Sequence, residues 1–218
     1  MYDQVLRKYK NIKLYITGYG IFEGVSENPS ELLVKKIEEN KEKICSQLGK
    51  GIEFHHSEIF KVAIQEVKEK TKEIYSKLSQ NLNDQDEMQL IIHFGVHSGS
   101  KNICLESQCV NKFSGADVDG CTINGKINKD DIDSYKCKLD LSLIHSEIEK
   151  SHKVAISNDA GDYLCNFVYY LSCTQWHNEK NVFPIFIHIP DLKTINLEDI
   201  FLCFVGFLES VKKQYCIV

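Results

Sequence analysis

The chain has no CxxC pair, no apolar run of membrane-span length, no internal repeat and no excess of positive charge. Without such an apolar run there is no transmembrane segment to read, and the polar, charged stretch Met1 to Lys10 is not signal-like, so the expected location is cytoplasmic. The nine cysteines are an odd number without paired spacing, which argues against a disulfide framework and for reduced thiols. In the C-terminal Tyr215-Cys216-Ile217-Val218 the cysteine stands third from the end, where a prenylation box needs it fourth. A net charge of −5 and a pI near 5.9 give no general electrostatic reason to expect nucleic acid or an anionic membrane as partner. His93 and His97 have a metal-like spacing but fall in a strand and the Ser-Gly turn after it, so no metal site is legible and no cofactor is expected.

What is present is an ordinary globular composition. With 218 residues, 43% hydrophobic and 26% charged, the chain is long enough to bury a substantial core as one domain. We take 1–218 as that domain, with an N-terminal extension over 1–11 and a long polar loop over 112–134. Strand-like and helix-like segments alternate. Ile12 to Thr17, Ile52 to Ile59, Gln89 to Gly95, Ile103 to Glu106, Val154 to Ser157 and Val182 to Ile189 read as strands. Helices are expected from Pro29 to about Glu39, through Ile64, Val67, Thr71, Ile74 and Leu78, around Leu141 to Ile148, from Asn166 to about Trp176, and from Asn196 to about Lys213. The nearly continuous apolar run Gln89 to Gly95 is typical of a central strand buried on both faces. The expected fold is α/β: a single-domain three-layer α/β/α sandwich around a twisted, largely parallel mixed sheet.

The chemistry centres on Ile156-Ser157-Asn158-Asp159-Ala160-Gly161-Asp162-Tyr163-Leu164-Cys165-Asn166. A strand enters a turn of Asn, Asp and Gly, and an aromatic helix-like run follows, which puts Cys165 at a helix start. Free amides and the positive end of the helix dipole there favour a thiolate and can hold a developing oxyanion. A cysteine nucleophile also needs a base and a group to orient that base, and His188 and Glu106 are the right residue types. On this reading Cys165 lies beyond the C-terminal end of one strand and His188 at that of another, the edge where open α/β sheets carry their sites.

Four blocks of sequence resemble the pyroglutamyl peptidase I family of cysteine peptidases. They are Thr17-Gly18-Tyr19-Gly20-Ile21-Phe22-Glu23-Gly24 with Asn28-Pro29-Ser30; His93-Phe94-Gly95-Val96 with Leu105-Glu106 and Asn111; the Cys165 block with Tyr169-Tyr170; and Phe186-Ile187-His188-Ile189-Pro190-Asp191-Leu192. Their order and spacing agree over roughly residues 12 to 210. The resemblance implies removal of an N-terminal 5-oxoproline residue from peptides through a thioester, with Glu106, Cys165 and His188 as the catalytic triad. It further implies that Tyr19 and Phe22 sandwich the lactam ring and that Tyr163 and Leu164 line the slot. Where the family commonly has Phe, Pro and Gly, this chain has Tyr19, Ile21 and Glu23, which adds a hydroxyl to the slot and a negative charge to its rim. Members are tetramers in prokaryotes and monomers in mammals, so both a monomer and a homo-oligomer stay open.

Other readings compete. One is an inactive relative that binds pyroglutamyl peptides without cleaving them. Another is a dinucleotide oxidoreductase, suggested by Gly18-x-Gly20 after a strand, but the third glycine, Gly24, falls one residue beyond the fingerprint. A glutamine amidotransferase also uses Cys, His and Glu, but with His and Glu two residues apart, unlike His188 and Glu106.

Overall fold

The computed structural model describes residues 8–22, 27–80, 82, 84–129 and 132–217. Its centre is a six-stranded sheet in the order β2-β1-β3-β10-β4-β9. The strands are β1 (Asn11–Tyr19), β2 (Ile52–Phe60), β3 (Glu87–Val96), β4 (Ile103–Glu106), β9 (Val154–Ser157) and β10 (Val182–Ile189). Helices α1 (Pro29–Leu48), α3 (Leu141–Ile148) and α5 (Leu197–Tyr215) cover one face, and α2 (Ile64–Ser79) and α4 (Leu164–Trp176) cover the other. The α/β fold and the central place of β3 agree with the sequence pattern. Successive β3 residues serve opposite cores, Leu90, Ile92 and Phe94 toward α1 and α5, Ile91 toward α2 and α4. Both faces are therefore apolar, and the strand reads as an unbroken run.

The direction of the strands corrects the common-edge reading of the site. β1, β2, β3 and β10 are parallel, but β10 pairs β4 antiparallel through Ile187↔Leu105 and His188↔Cys104, and β9 follows β4 in parallel. The C-terminal ends of β4 and β9 therefore point opposite to those of β3 and β10. Cys165 reaches the β3/β10 end only because residues 158–163 carry the chain from β9 across to the α4 face. Pro184 is tolerated in a central strand because β10 pairs β4 only at Ile187 and His188.

Helix α1 runs nine residues past its expected end at Glu39. The buried stripe Leu33, Ile37, Ile44 continues through a lysine- and glutamate-rich segment, and the Asn40 side chain bonds back to Lys36 O (2.8 Å) instead of stopping the helix. Its start matches expectation: Asn28 Oδ1 accepts from Ser30 N (3.0 Å), with Pro29 at the first helical position. The polar loop over 112–134 is more ordered than its composition suggests. It contains a hairpin of β6 (Phe113–Ala116) and β7 (Thr122–Gly125), and between Glu106 and this loop β5 (Gln108–Val110) pairs β8 (Ser134–Lys136). Asp117, in the hairpin turn, accepts from Asp119 N, Cys121 N and Ile64 N. It thus caps α2, whose own N-cap residue, Ala63, has no side chain able to do so. No helix among the described residues is long and apolar enough to cross a membrane.

Candidate active site

Cys165 is the second residue of α4. The first bond within that helix runs from Phe167 N to Tyr163 O (2.9 Å), so the amides of Leu164, Cys165 and Asn166 stand in the turn where a helix offers free donors. At the other end of the helix, Lys138 Nζ donates to the carbonyls of Trp176 (2.6 Å), Glu179 (2.8 Å) and Val182 (3.0 Å). A cation there complements the negative end of the helix dipole.

Glu106, Cys165 and His188, predicted from separate segments, are brought together. His188 Nδ1 donates to Glu106 Oε1 at 2.7 Å, with Glu106 only 1% exposed and His188 6%. The position of His188 follows from its register opposite Cys104 in β4, two residues from Glu106. Burial works against an imidazolium here. The charge of and hydrogen bond to Cys165, followed by those of Glu106, outweigh it and raise His188 from 6.5 to about 9. Gly95 leaves room for the thiol, since a Cβ there would meet Cys165 Sγ at 2.8 Å and Phe186 Cζ at 2.7 Å.

Two residues in the sequence block that had no assigned role hold this geometry. The Asn166 side chain accepts from Val110 N (2.9 Å) and donates to Val110 O and Lys112 O (both 2.8 Å), while the Tyr169 hydroxyl donates to Glu106 O (3.1 Å). The helix bearing the thiol is thereby fastened to the segment bearing the carboxylate. A buried polar residue directly after the nucleophile was the available sequence signal; its partners, some fifty residues away, were not legible.

A cavity of ≈ 530 Å³ opens beside Cys165, lined among others by Tyr19, Phe22, Val62, Tyr163 and Leu164. All four predicted slot residues are there. Glu106 and His188 lie buried next to the thiol and do not line it. The hydroxyl expected to enter the slot from Tyr19 does not do so: it donates to Leu164 O at 2.7 Å, and Tyr19 is buried against Phe60. Burial, followed by the neighbouring Cys165 charge, keeps that phenol protonated well above its ordinary range. Phe22 is more open, 39% exposed at the mouth. Tyr163 is braced from behind by the hairpin, its hydroxyl donating to Ala116 O (2.8 Å) and its ring packed on Phe113. Glu23, expected at the rim, lies outside the described residues.

His93 is not a ligand. Its ring nitrogens meet Thr17 Oγ1 and Ser172 Oγ, each at 2.7 Å, and burial lowers it to about 3, so it remains neutral. Among the described residues no group of three His, Cys, Asp or Glu side chains could hold a metal ion.

A half-buried thiol beside a buried imidazole–carboxylate pair, at a helix N-terminus beneath an aromatic-lined cavity on an open α/β sheet, defines a class of thiol hydrolases. The sequence profile of the pyroglutamyl peptidase family matches residues 12–205, and the chain belongs to that family. It is similar to the human pyroglutamyl-peptidase 1, with 29% identity over 182 residues that cover 81% of this chain and 78% of that protein. It is also similar to the pyrrolidone-carboxylate peptidase of Lactobacillus helveticus, 26% identical over 186 residues, 83% of this chain and 84% of that protein. Among solved structures, the pyrrolidone carboxyl peptidase of Fervidobacterium islandicum superposes with a TM-score of 0.75 at 25% identity, covering 94% of this chain and 99% of that one.

Proposed function

We infer that the chain hydrolyses the amide bond after an N-terminal pyroglutamyl residue of peptides. The observation that carries this reading is the contact of His188 with both Glu106 and Cys165 beside a cavity walled by Tyr19, Phe22 and Tyr163. A pyroglutamyl ring is flat, small and uncharged, so aromatic walls and a few backbone hydrogen bonds suffice to hold it.

In this mechanism the Cys165 thiolate attacks the scissile carbonyl carbon, and the first-turn amides of α4 hold the resulting oxyanion. As the intermediate collapses, the C–N bond breaks and His188 gives its proton to the leaving amine, leaving a pyroglutamoyl thioester on Cys165. His188, now neutral, takes a proton from water, whose oxygen attacks the thioester and releases pyroglutamate and the thiolate. Glu106 keeps the imidazole in the right tautomer and stabilises its charged form. The chemistry requires a reduced thiol, and all nine cysteines are free, which suits a reducing compartment such as the cytoplasm.

The test is turnover of pyroglutamyl-β-naphthylamide by the wild type and by Cys165→Ala. The wild type should release the amine and the variant should not, with unchanged circular dichroism. Wild-type turnover that survives Cys165→Ala would show that Cys165 is not the nucleophile.

A further inference from the structure

His188 is enclosed on three sides. Nδ1 faces Glu106, the other polar neighbour is Cys165, and the buried Phe186 ring packs at 4.7 Å between centroids. Its remaining ring neighbour is His97, edge-to-face at 5.7 Å and 64°. His97 is exposed, in the turn after β3, and its ring nitrogens meet no hydrogen-bond partner among the described residues. The backbone beneath it is fixed, since His97 N donates to Ile189 O and Ser100 N to His97 O, both at 2.9 Å. Val96 and Ser98, on either side of it, line the cavity, while His97 itself stands outside the lining, against His188.

On the peptidase reading above, the leaving amine must accept a proton from His188, so its nitrogen comes within about 3 Å of that ring. Glu106 holds Nδ1 and Phe186 covers one side, so the amine takes its proton from the other ring nitrogen, beside Cys165, with His97 as the remaining ring neighbour. In a peptide, the carbonyl of the residue after pyroglutamate lies two bonds beyond that nitrogen, roughly 2.5 Å on. It therefore falls within reach of a ring centred 5.7 Å from His188. A neutral imidazole always keeps one N–H to donate. The charged residues lining the cavity, Glu27, Asp191 and Lys193, are of mixed sign and favour no one charge on the substrate side chain, whereas the carbonyl is common to every peptide.

We propose that His97 is a specificity residue on the leaving-group side, donating a ring N–H to the carbonyl of the residue after pyroglutamate and so favouring peptides over amides that lack this group. The proposal rests on the pyroglutamyl peptidase reading. Its test measures kcat/KM for pyroglutamyl-alanine amide and for pyroglutamyl-β-naphthylamide, which has no such carbonyl, with the wild type, His97→Ala and His97→Gln. The peptide-to-arylamide ratio should fall about tenfold in His97→Ala, the worth of one hydrogen bond, and recover most of that loss in His97→Gln, which keeps a donor. A ratio in His97→Ala within twofold of the wild type, or no recovery in His97→Gln, would overturn it. A wild type that hydrolyses neither substrate would instead overturn the peptidase reading, and this inference with it.

Discussion

Replacing Glu106 by Gln keeps the shape of the side chain and an oxygen facing His188 but removes the negative charge. The contact is short, 2.7 Å, and dry, with Glu106 1% exposed, so solvent screens it little. A hydrogen bond to a charged group is worth about 1.5–3 kcal/mol against about 1 for a neutral pair, so the imidazolium loses roughly 1–2 kcal/mol, or about one pKa unit. His188 stands near 9 in the native chain. The variant should therefore lose activity at alkaline pH about one unit earlier, because the imidazolium needed to protonate the leaving amine is lost sooner. Its kcat at the optimum should fall roughly five- to thirtyfold.

Stability carries the same sign. The His188 value is raised in the folded state, so its stabilising contribution is fully present below the ordinary 6.5 and is lost as pH rises through about 9. Glu106→Gln narrows that window from the alkaline side. It also puts an amide NH₂ where Oε2 has no hydrogen-bond partner, a buried donor costing about 1–3 kcal/mol. The assay is a kcat/KM profile over roughly pH 5 to 10, paired with urea unfolding at neutral pH. An alkaline limb that stays in place, together with a rate within twofold of the wild type, would refute the role given to Glu106.

Further outcomes follow from the packing. Gly95→Ala should drive a methyl into Cys165 Sγ and Phe186, costing about 1–3 kcal/mol in urea unfolding and at least tenfold in kcat. Tyr19→Phe keeps the ring but strips the bond to Leu164 O, so it should cost about 1–2 kcal/mol of stability while moving KM by less than threefold. Asn166→Ala should loosen Val110 and Lys112 from α4 and lower kcat more than it raises KM, readable in steady-state kinetics on the arylamide. Iodoacetamide at neutral pH, followed by peptide mass spectrometry, should modify Cys165 faster than the more exposed Cys121.

The sequence made the strands and the residue types of the site legible, because local periodicity and turn chemistry write them directly. β3 is apolar on both faces, and the Asn-Asp-Gly turn before Cys165 announces a helix start. What it left out was set by partners distant in the chain. The antiparallel entry of β4 and β9 is fixed by pairing with β10, and nothing local marks it. From sequence the Tyr19 hydroxyl reads as a slot group, because its acceptor, Leu164 O, is 145 residues away. The hairpin in 112–134 has no hydrophobic period of its own; it is pinned by Asp117 to α2 and by Ala116 to Tyr163. Asn166 and Tyr169 were visible only as polar and aromatic residues in a helix, and their work lies in what they bind on the far side of the site.

The central claim is that this cavity and this thiol together cut after a pyroglutamyl ring, and the most direct test compares pyroglutamyl- with prolyl-β-naphthylamide. The prolyl ring has the same size but carries a charged amine and lacks the lactam carbonyl. Burying that charge unpaired between aromatic walls should cost at least about 3 kcal/mol, a preference for the pyroglutamyl amide of about a hundredfold or more in kcat/KM. Equal turnover of the two amides, or faster turnover of the prolyl one, would contradict the account.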